Sequence, residues 1–182
     1  NVFGPFRIIP VDLYTVNVKK ADGTALNDAV VEVIGQLDLT GQPLKGTVTG
    51  GKATFTLPDG GTYLYNVSLA GYVSQAVSST LKTVTATLQA VDKTITGKVQ
   101  DAAGGNLSGA TVTAYIPSAL ATQYGATTAA DGTYTINLPK GAAATGWTVV
   151  AGKTGYVTVK LTDKAAGATG VDFNLTALTG AA

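Results

Sequence analysis

Few residue types in this chain are able to carry catalysis, and several reactive ones are missing. The 182-residue sequence contains no His, no Cys and no Met. These absences exclude a thiolate nucleophile, a disulfide, an imidazole base and a thiolate or imidazole metal site. A hydrolase would need a Ser–Lys dyad instead, and no motif in the sequence supports one. We therefore expect a protein that is not an enzyme.

The carboxylates are the remaining groups that could bind a metal or move a proton. The 11 acidic residues are Glu32 and ten aspartates. A calcium site needs about six converging oxygens, and a glycosidase needs two carboxyl groups across a cleft. The spacing of the acidic residues supports neither a calcium site nor a glycosidase pair, so we expect no metal and no cofactor. Most of the aspartates fall in or beside predicted turns, where Asp bonds its own backbone; these are Asp22, Asp28, Asp59, Asp101, Asp131 and Asp163.

Trp147 is the one Trp of the chain and stands at the start of a predicted strand. An exposed indole presents a flat apolar face on which a sugar ring can stack, so Trp147 is the predicted carbohydrate-binding residue. The other interpretation is that Trp147 closes the core end of a second domain. The sequence leaves both open.

Three tripeptides match the acceptor pattern for N-glycosylation, at Asn66, Asn106 and Asn174. Asn66 and Asn174 alternate with apolar neighbours, so we expect both to face outward on their strands. This orientation fits modification in a host that exports and glycosylates the chain.

The elements that hold these residues are predicted to be short strands. Apolar and polar residues alternate with a period of two, for example over residues 11–19, and turn residues recur every 8–12 positions. This pattern is typical of antiparallel β-sandwiches. No segment shows a capped 3.6-residue period, so we expect no long helix.

The pattern of a turn followed by an alternating strand occurs twice in the sequence. Residues 51–60 read GKATFTLPDG and residues 131–141 read DGTYTINLPKG, with Leu57 and Leu138 separated by 81 positions (138 minus 57). We therefore predict an all-β chain of two tandem Ig-like or prealbumin-like antiparallel sandwiches. The expected organisation is an extended leader at residues 1–10, a first domain at 11–90 and a second at 91–182.

Residues 1–10, NVFGPFRIIP, have no counterpart in the second repeat. Pro5 and Pro10 favour an extended course. One interpretation is a leader that packs over the first domain or stays disordered. The other is an exchanged strand that docks on the open sheet edge of a neighbouring subunit. Its contact residues would be Val2, Phe3, Phe6, Ile8 and Ile9.

The amino-acid composition indicates where the protein is located. Charged residues make up 13% of the chain and the net charge is +1, against about 25% charged residues in average soluble proteins. Such a chain has no electrostatic footprint for nucleic acid. No apolar run approaches the roughly 18 residues of a membrane span. We expect an extracellular or cell-surface location.

The repeats resemble the prealbumin-like family, which includes carboxypeptidase regulatory-like domains and the Cna protein B-type repeat domains of surface adhesins. The resemblance covers about residues 11–178. Its motifs are specific for the fold, because each residue has a turn or core role. The matching segments are residues 109–112, 131–141 and 153–156, with 28–31, 53–60 and 70–72 in the first repeat.

The adhesin branch of that family often forms an internal Lys–Asn isopeptide bond next to a buried acid. Lys19, Lys20 or Lys98 and Asn174 are similar in position to the expected pair. However, Ser68 and Ala151 stand where the resemblance places the acid. Without an acid to transfer the proton, amide formation lacks its catalyst, and we do not expect the bond.

Two functions follow as hypotheses. The first is a non-catalytic extracellular structural protein, a subunit of a surface filament or pilus or an adhesive stalk that binds copies of itself through its leader. The alternative is a carbohydrate-binding accessory module of a secreted enzyme, with polysaccharide or a host surface as its partner.

Overall fold

The structure is a computed structural model and describes residues 9–178. The chain divides into two compact units, with the boundary between Gln89 and Ala90. All regular elements within residues 9–178 are β-strands. In that range there is no helix of the length and apolar character required to cross a bilayer.

Unit 1 contains seven strands in two facing sheets. They are β1 (Val11–Lys20), β2 (Val30–Leu37), β3 (Pro43–Thr47), β4 (Lys52–Pro58), β5 (Tyr63–Ser68), β6 (Gln75–Ser79) and β7 (Thr83–Leu88). One sheet has the order β4-β1-β7 and the other β3-β2-β5-β6.

Unit 2 repeats this arrangement strand for strand. Its strands are β8 (Val91–Asp101), β9 (Thr111–Tyr115), β10 (Gln123–Thr127), β11 (Thr133–Pro139), β12 (Trp147–Gly152), β13 (Val159–Lys164) and β14 (Phe173–Leu175). The sheet orders are β11-β8-β14 and β10-β9-β12-β13. The prediction of tandem all-β sandwiches is confirmed.

The sheets are mainly antiparallel, as predicted, and one strand pair in each unit is parallel. β1 pairs with β7 in parallel, from Thr15–Thr83 onward, and β8 pairs with β14 in parallel. The first and last strands of each unit therefore lie side by side and run in the same direction. Alternation along a strand reports which face is buried, but it does not report the direction of the neighbouring strand.

The apolar residues of β1 lie on different faces of the strand in its first and second halves. Tyr14, Val16 and Val18 point into the core of unit 1, whereas Val11 and Leu13 are exposed. Successive side chains of a strand point to opposite faces, so Val11 and Leu13 lie on the outer face. The alternating pattern predicted that the apolar residues of 11–19 would all lie on one buried face. In the structure, those before Tyr14 lie on the outer face and those from Tyr14 onward lie on the buried face.

The two cores use different residues at equivalent positions. In unit 1, Val16 of β1 faces Ala53 of β4. In unit 2, the corresponding pair is Gly97 of β8 and Tyr134 of β11. A Cβ atom at Gly97 would lie 2.0 Å from the carbonyl oxygen of Val171. Gly97 thus provides the space that the larger Tyr134 ring and the passing backbone need.

The shared turn before β4 and β11 depends on a glycine in both units. Gly51 has φ 76° and Gly132 has φ 78°, a region that residues with a Cβ atom rarely adopt. A Cβ at Gly132 would also lie 2.6 Å from the carbonyl oxygen of Val99. The repeated sequence pattern around these turns therefore has a backbone explanation.

Candidate functional site

Several aspartates accept hydrogen bonds that hold their turns, namely Asp22, Asp38, Asp101 and Asp131. Asp131 accepts from the backbone N–H of Thr133 at 3.0 Å and from its hydroxyl at 2.7 Å. Asp38 accepts from the Thr40 hydroxyl at 2.6 Å and from the backbone N–H groups of Thr40 and Gln42. These bonds lower the pKa of both carboxyl groups, with the Thr hydroxyl as the largest cause in each. Hydrogen bonds to the charged form produce that direction.

No metal-binding constellation is present in the part of the chain that the structure describes. Within residues 9–178 there is no group of three or more acidic side chains close enough to hold an ion. Ser108 and Lys153 are in contact, but the Lys153 ammonium donates to the backbone carbonyl of Ser108 and not to its hydroxyl. This contact fixes a loop and does not activate a nucleophile.

Trp147 lies inside unit 2, which contradicts the expectation of an exposed, sugar-binding face. Its side chain is 2% exposed. The indole N–H donates to the carbonyl oxygen of Ala143 at 2.8 Å, and the Tyr124 ring meets it edge-on at a centroid distance of 5.8 Å. A sugar ring has no access to either face of this indole. The hydrogen bond and the aromatic contact are typical of a buried Trp.

One shallow cavity of about 440 Å³ lies on unit 2. Thr111, Thr113 and Thr158 supply hydroxyl groups to it, and Lys153 borders it. The residues between the lining positions of β9, such as Val112, are buried in the core, so the cavity is on the outer face of the sheet. Its described lining contains no aromatic ring on which a sugar could stack.

The three predicted glycosylation acceptors are reachable to different degrees. Asn174 is exposed on β14, and Asn106 is exposed in a loop where its side-chain oxygen accepts from Gln100 at 3.2 Å. Asn66 is half-buried on β5, opposite Glu32 and Ala76. All three remain predicted acceptors.

The structure places the suggested isopeptide residues away from the core. Asn174 is exposed and pairs with Gln100 of β8, two residues after Lys98. Lys98 is half-buried, and its backbone N–H bonds the Asp172 carboxylate at 2.8 Å. Outward-facing partners do not provide the buried environment that the resemblance implies.

The amino end of unit 1 combines backbone hydrogen bonds, an ion-pair cluster and exposed apolar side chains. We use this name for the end of the sandwich where β1, β5 and β7 begin and where β2, β4 and β6 finish. There, Pro10 accepts a hydrogen bond from the backbone N–H of Asp59 at 2.8 Å. The Tyr63 hydroxyl donates to the Pro58 carbonyl at 2.5 Å. The first of these bonds fixes Pro10, which directly precedes β1, at this end of the sandwich.

An ion-pair cluster adds to this anchor. The Lys82 ammonium bonds the Asp12 carboxylate and lies 3.1 Å from the Asp59 carboxylate. The bond to Asp12, followed by that to Asp59, raises the pKa of Lys82, and the same bond is the main cause that lowers the pKa of Asp12. The cluster is exposed, and exposed ion pairs add little stability. The sequence offered no signal for it, because its members are far apart along the chain.

The start of β1 exposes a row of apolar side chains. Ile9, Val11 and Leu13 are 58%, 60% and 55% exposed. Val11 and Leu13 alternate along β1, so they share its outer face, and Ile9 lies two residues before the strand begins. These residues continue the apolar character of the leader into the folded unit.

One edge of β1 has no partner strand within residues 9–178 at this point. On one side, β4 pairs with β1 from Val11 onward. On the other side, the ladder with β7 begins only at Thr15, and the backbone N–H of Leu13 bonds the Asp12 side chain instead, at 2.7 Å. Among the residues that the structure describes, the part of β1 before Thr15 therefore has one neighbouring strand.

Most of the predicted subunit-contact residues lie outside the described range. This applies to Val2, Phe3, Phe6 and Ile8, while Ile9 is the exposed residue at the beginning of that range. The structure therefore tests neither interpretation of the leader.

Comparison with known proteins gives distant likenesses only. No protein-family model matches the sequence, and no curated protein matches it either. Among solved structures, the Bacillus anthracis TIE protein is 19% identical with a TM-score of 0.36, and the match covers 92% of this chain and 34% of that one. A streptococcal ancillary pilin is 16% identical with a TM-score of 0.34, covering 93% of this chain and 63% of that one.

The shaft pilin SpaA from Lactobacillus rhamnosus GG is 14% identical with a TM-score of 0.40, covering 94% of this chain and all of that one. This chain thus spans about a third of the length of the first structure and less than two thirds of the second. The fold assignment stands on the strand pairing within the chain itself.

Proposed function

We propose that this chain is a non-catalytic structural protein of the cell exterior. It is a subunit of a surface filament, pilus or adhesive stalk, and it assembles with copies of itself through residues 1–10. The observation that carries the proposal is the start of β1, where three apolar side chains at the end of the leader and just after it are exposed and one strand edge has no partner among the described residues.

The second repeat supports a functional reason for this surface. Val16 of unit 1 corresponds to Gly97 of unit 2, 81 positions later (97 minus 16). By the same offset, Leu13 corresponds to Thr94. The register shift between Leu138 and Pro139 makes Val91 the equivalent of Val11. The fold therefore forms without an apolar residue at the Leu13 position, and the exposed Leu13 of unit 1 calls for an explanation other than folding.

Strand addition provides that explanation. An extended peptide can pair with an exposed sheet edge, with backbone hydrogen bonds supplying affinity and alternate side chains filling pockets. The leader offers Val2, Phe3, Phe6 and Ile8 for such pockets. Full burial of each large apolar side chain contributes about 1.5–3 kcal/mol. Several of them together offset the cost of association.

Deletion of residues 2–9 tests the proposal. Pro10 and its bond to Asp59 remain in the shortened chain, so both sandwiches are expected to stay folded. Assembly, measured by sedimentation velocity and negative-stain electron microscopy, is expected to be lost. A second variant keeps the length of the leader but replaces Val2, Phe3, Phe6 and Ile8 by Ser, and it should behave like the deletion. Filaments that persist in both variants would contradict the proposal.

A further inference from the structure

The first and last strands of each unit are paired directly with one another. In unit 1, β1 pairs in parallel with β7 from Thr15–Thr83 to Lys20–Leu88. Because the two strands run in the same direction, the chain enters unit 1 at one end of this ladder and leaves it at the opposite end. Tension applied to the two ends of unit 1 therefore pulls β1 and β7 past each other, along their own axes.

This geometry loads the ladder in shear. The backbone hydrogen bonds of a sheet join one strand to the next, so they lie across the direction of a force that acts along the strands. All of them share such a force and must fail together. If both pulling points were at the same end of the ladder, the bonds would fail one after another, each under the whole force.

β7 depends on this ladder more than β1 does. β1 is the central strand of its sheet and is also held by β4, over residues 11–17. β7 is an edge strand, and among the described residues its partner in the sheet is β1 alone. A force on the end of β7 consequently reaches the rest of the sheet through the ladder.

The inner side of the ladder is closed to water. Val16, Val18, Ala86 and Leu88 point into the core of unit 1, and each is 1% exposed or less. Water can therefore compete for the hydrogen bonds of the ladder from the outer face only. A bond that is lost without replacement by water is costly to break, so the core adds to the resistance of the ladder.

Unit 2 has the same geometry with a shorter regular ladder. β14 pairs in parallel with β8 over three residue pairs. Two further bonds continue the contact toward the beginning of β8. The backbone N–H of Val171 donates to the Thr96 carbonyl at 3.0 Å, and the Asp172 carboxylate accepts from the backbone N–H of Lys98 at 2.8 Å. Only residues 89 and 90 separate β7 from β8, so tension that leaves unit 1 passes directly into unit 2.

We propose that the ladders between the first and last strands carry tension applied along the chain, and that the two units in series resist extension. The further function is mechanical. It goes beyond the proposed function, and it does not depend on self-assembly or on the course of the leader.

The position of the pulling points tests the ladder of unit 1. The chain contains no Cys, so one introduced Cys is a unique attachment point for single-molecule force spectroscopy on the full chain, with the N-terminus as the other point. Gln89→Cys places this point directly after β7 and loads the ladder in shear. Leu81→Cys places it just before β7 and peels the two strands apart from one end. Both side chains are exposed.

The force that unfolds unit 1 is expected to be several-fold higher for Gln89→Cys than for Leu81→Cys at the same pulling speed. Similar forces in the two geometries would overturn the proposal. Thermal unfolding without applied force should give the wild-type midpoint for both variants, because neither substitution changes a buried residue.

Unit 2 is tested by pulling Gln89→Cys from the C-terminus. In this background, Asp172→Ala removes the bond to Lys98 and is expected to lower the unfolding force of unit 2. The matched control is Asp131→Ala. It also removes an exposed carboxylate that accepts from a backbone N–H, that of Thr133, but this bond lies in a turn outside the ladder. The control should leave the unfolding force unchanged.

The comparison separates resistance to force from ordinary stability. If Asp131→Ala lowers the unfolding force as much as Asp172→Ala does, the force follows overall stability and the ladder of unit 2 does not carry the tension. The proposal for unit 2 also fails if Asp172→Ala has no effect on the force. None of these outcomes bears on the leader deletion, so failure of this inference and failure of the proposed function are distinguishable.

Discussion

The phenolic hydroxyl of Tyr134 donates a hydrogen bond to the backbone carbonyl oxygen of Val171 at 2.5 Å, with both residues buried. The bond joins β11 to the segment that leads into β14, across the position of Gly97. In unit 1 the residue equivalent to Tyr134 is Ala53, which has no hydroxyl to donate such a bond. The two units therefore stabilise the same topology by different side-chain solutions.

Replacement of Tyr134 by Phe is expected to destabilise unit 2 by about 1–3 kcal/mol. The ring remains, but the carbonyl of Val171 loses its partner in a buried place, and an unpaired buried acceptor carries that cost. Urea unfolding followed by Trp147 fluorescence measures the change. An unchanged unfolding midpoint would show that water replaces the hydroxyl.

Tyr65→Phe in unit 1, unlike Tyr134→Phe, is expected not to destabilise the protein. The hydroxyl of Tyr65 is buried and has no hydrogen-bond partner among the residues that the structure describes. Its removal should leave the free energy of unfolding at pH 7 unchanged or slightly higher. A loss of stability comparable with that of Tyr134→Phe would contradict this assignment.

The same hydroxyl predicts how stability depends on pH. Burial, followed by the nearby Tyr14, raises the pKa of Tyr65 from 10.0 to about 12. The stabilising contribution of the neutral form is present below pH 10 and is lost as the pH rises toward 12, because the unfolded chain ionises first. The decline over this range should be less steep for Tyr65→Phe than for the wild type. Unfolding by urea at a series of alkaline pH values measures both slopes.

Asp28 is expected to tolerate glycine better than alanine. It has φ 62°, and the equivalent residue of unit 2 is Gly109 with φ 71°. A left-handed conformation costs about 1–2 kcal/mol for a residue with a Cβ atom, and less for Asp. Asp28→Ala should therefore lower the free energy of unfolding by about 1 kcal/mol, while Asp28→Gly should be neutral or stabilising. The reverse order of the two variants in thermal unfolding would contradict the backbone explanation.

Trp147→Ala separates the structural role of this residue from carbohydrate binding. Removal of a buried Trp is expected to cost about 3–5 kcal/mol, and the bond to Ala143 is lost as well. Thermal unfolding of unit 2 should shift strongly downward. A variant with wild-type stability that no longer binds a polysaccharide column would restore the carbohydrate interpretation.

The features that the sequence predicted correctly are the local ones. Strand period, turn residues and the duplicated motif lie within a few residues of one another, so the all-β fold and its repetition could be inferred. The parallel pairing of β1 with β7 could not, because it joins residues such as Thr15 and Thr83 that share no local pattern.

The candidate site could not be predicted for the same reason, because it depends on contacts between residues that are distant in the sequence. Val11 and Leu13 looked like part of the buried face of β1, because alternation alone does not reveal a change of phase. Trp147 at the start of a strand fits either a core or a surface position, and only the packing of Tyr124 and Ala143 decides between them. The exposed apolar row at the start of β1 becomes visible only when the burial of each side chain is known.

Electron microscopy of the purified full-length chain over a range of concentrations tests the central claim most directly. Self-assembly through the leader and the amino end of unit 1 predicts unbranched filaments that appear above a threshold concentration and disappear when residues 2–9 are deleted. A chain that remains a dispersed monomer at every concentration, with both sandwiches folded, would contradict the account.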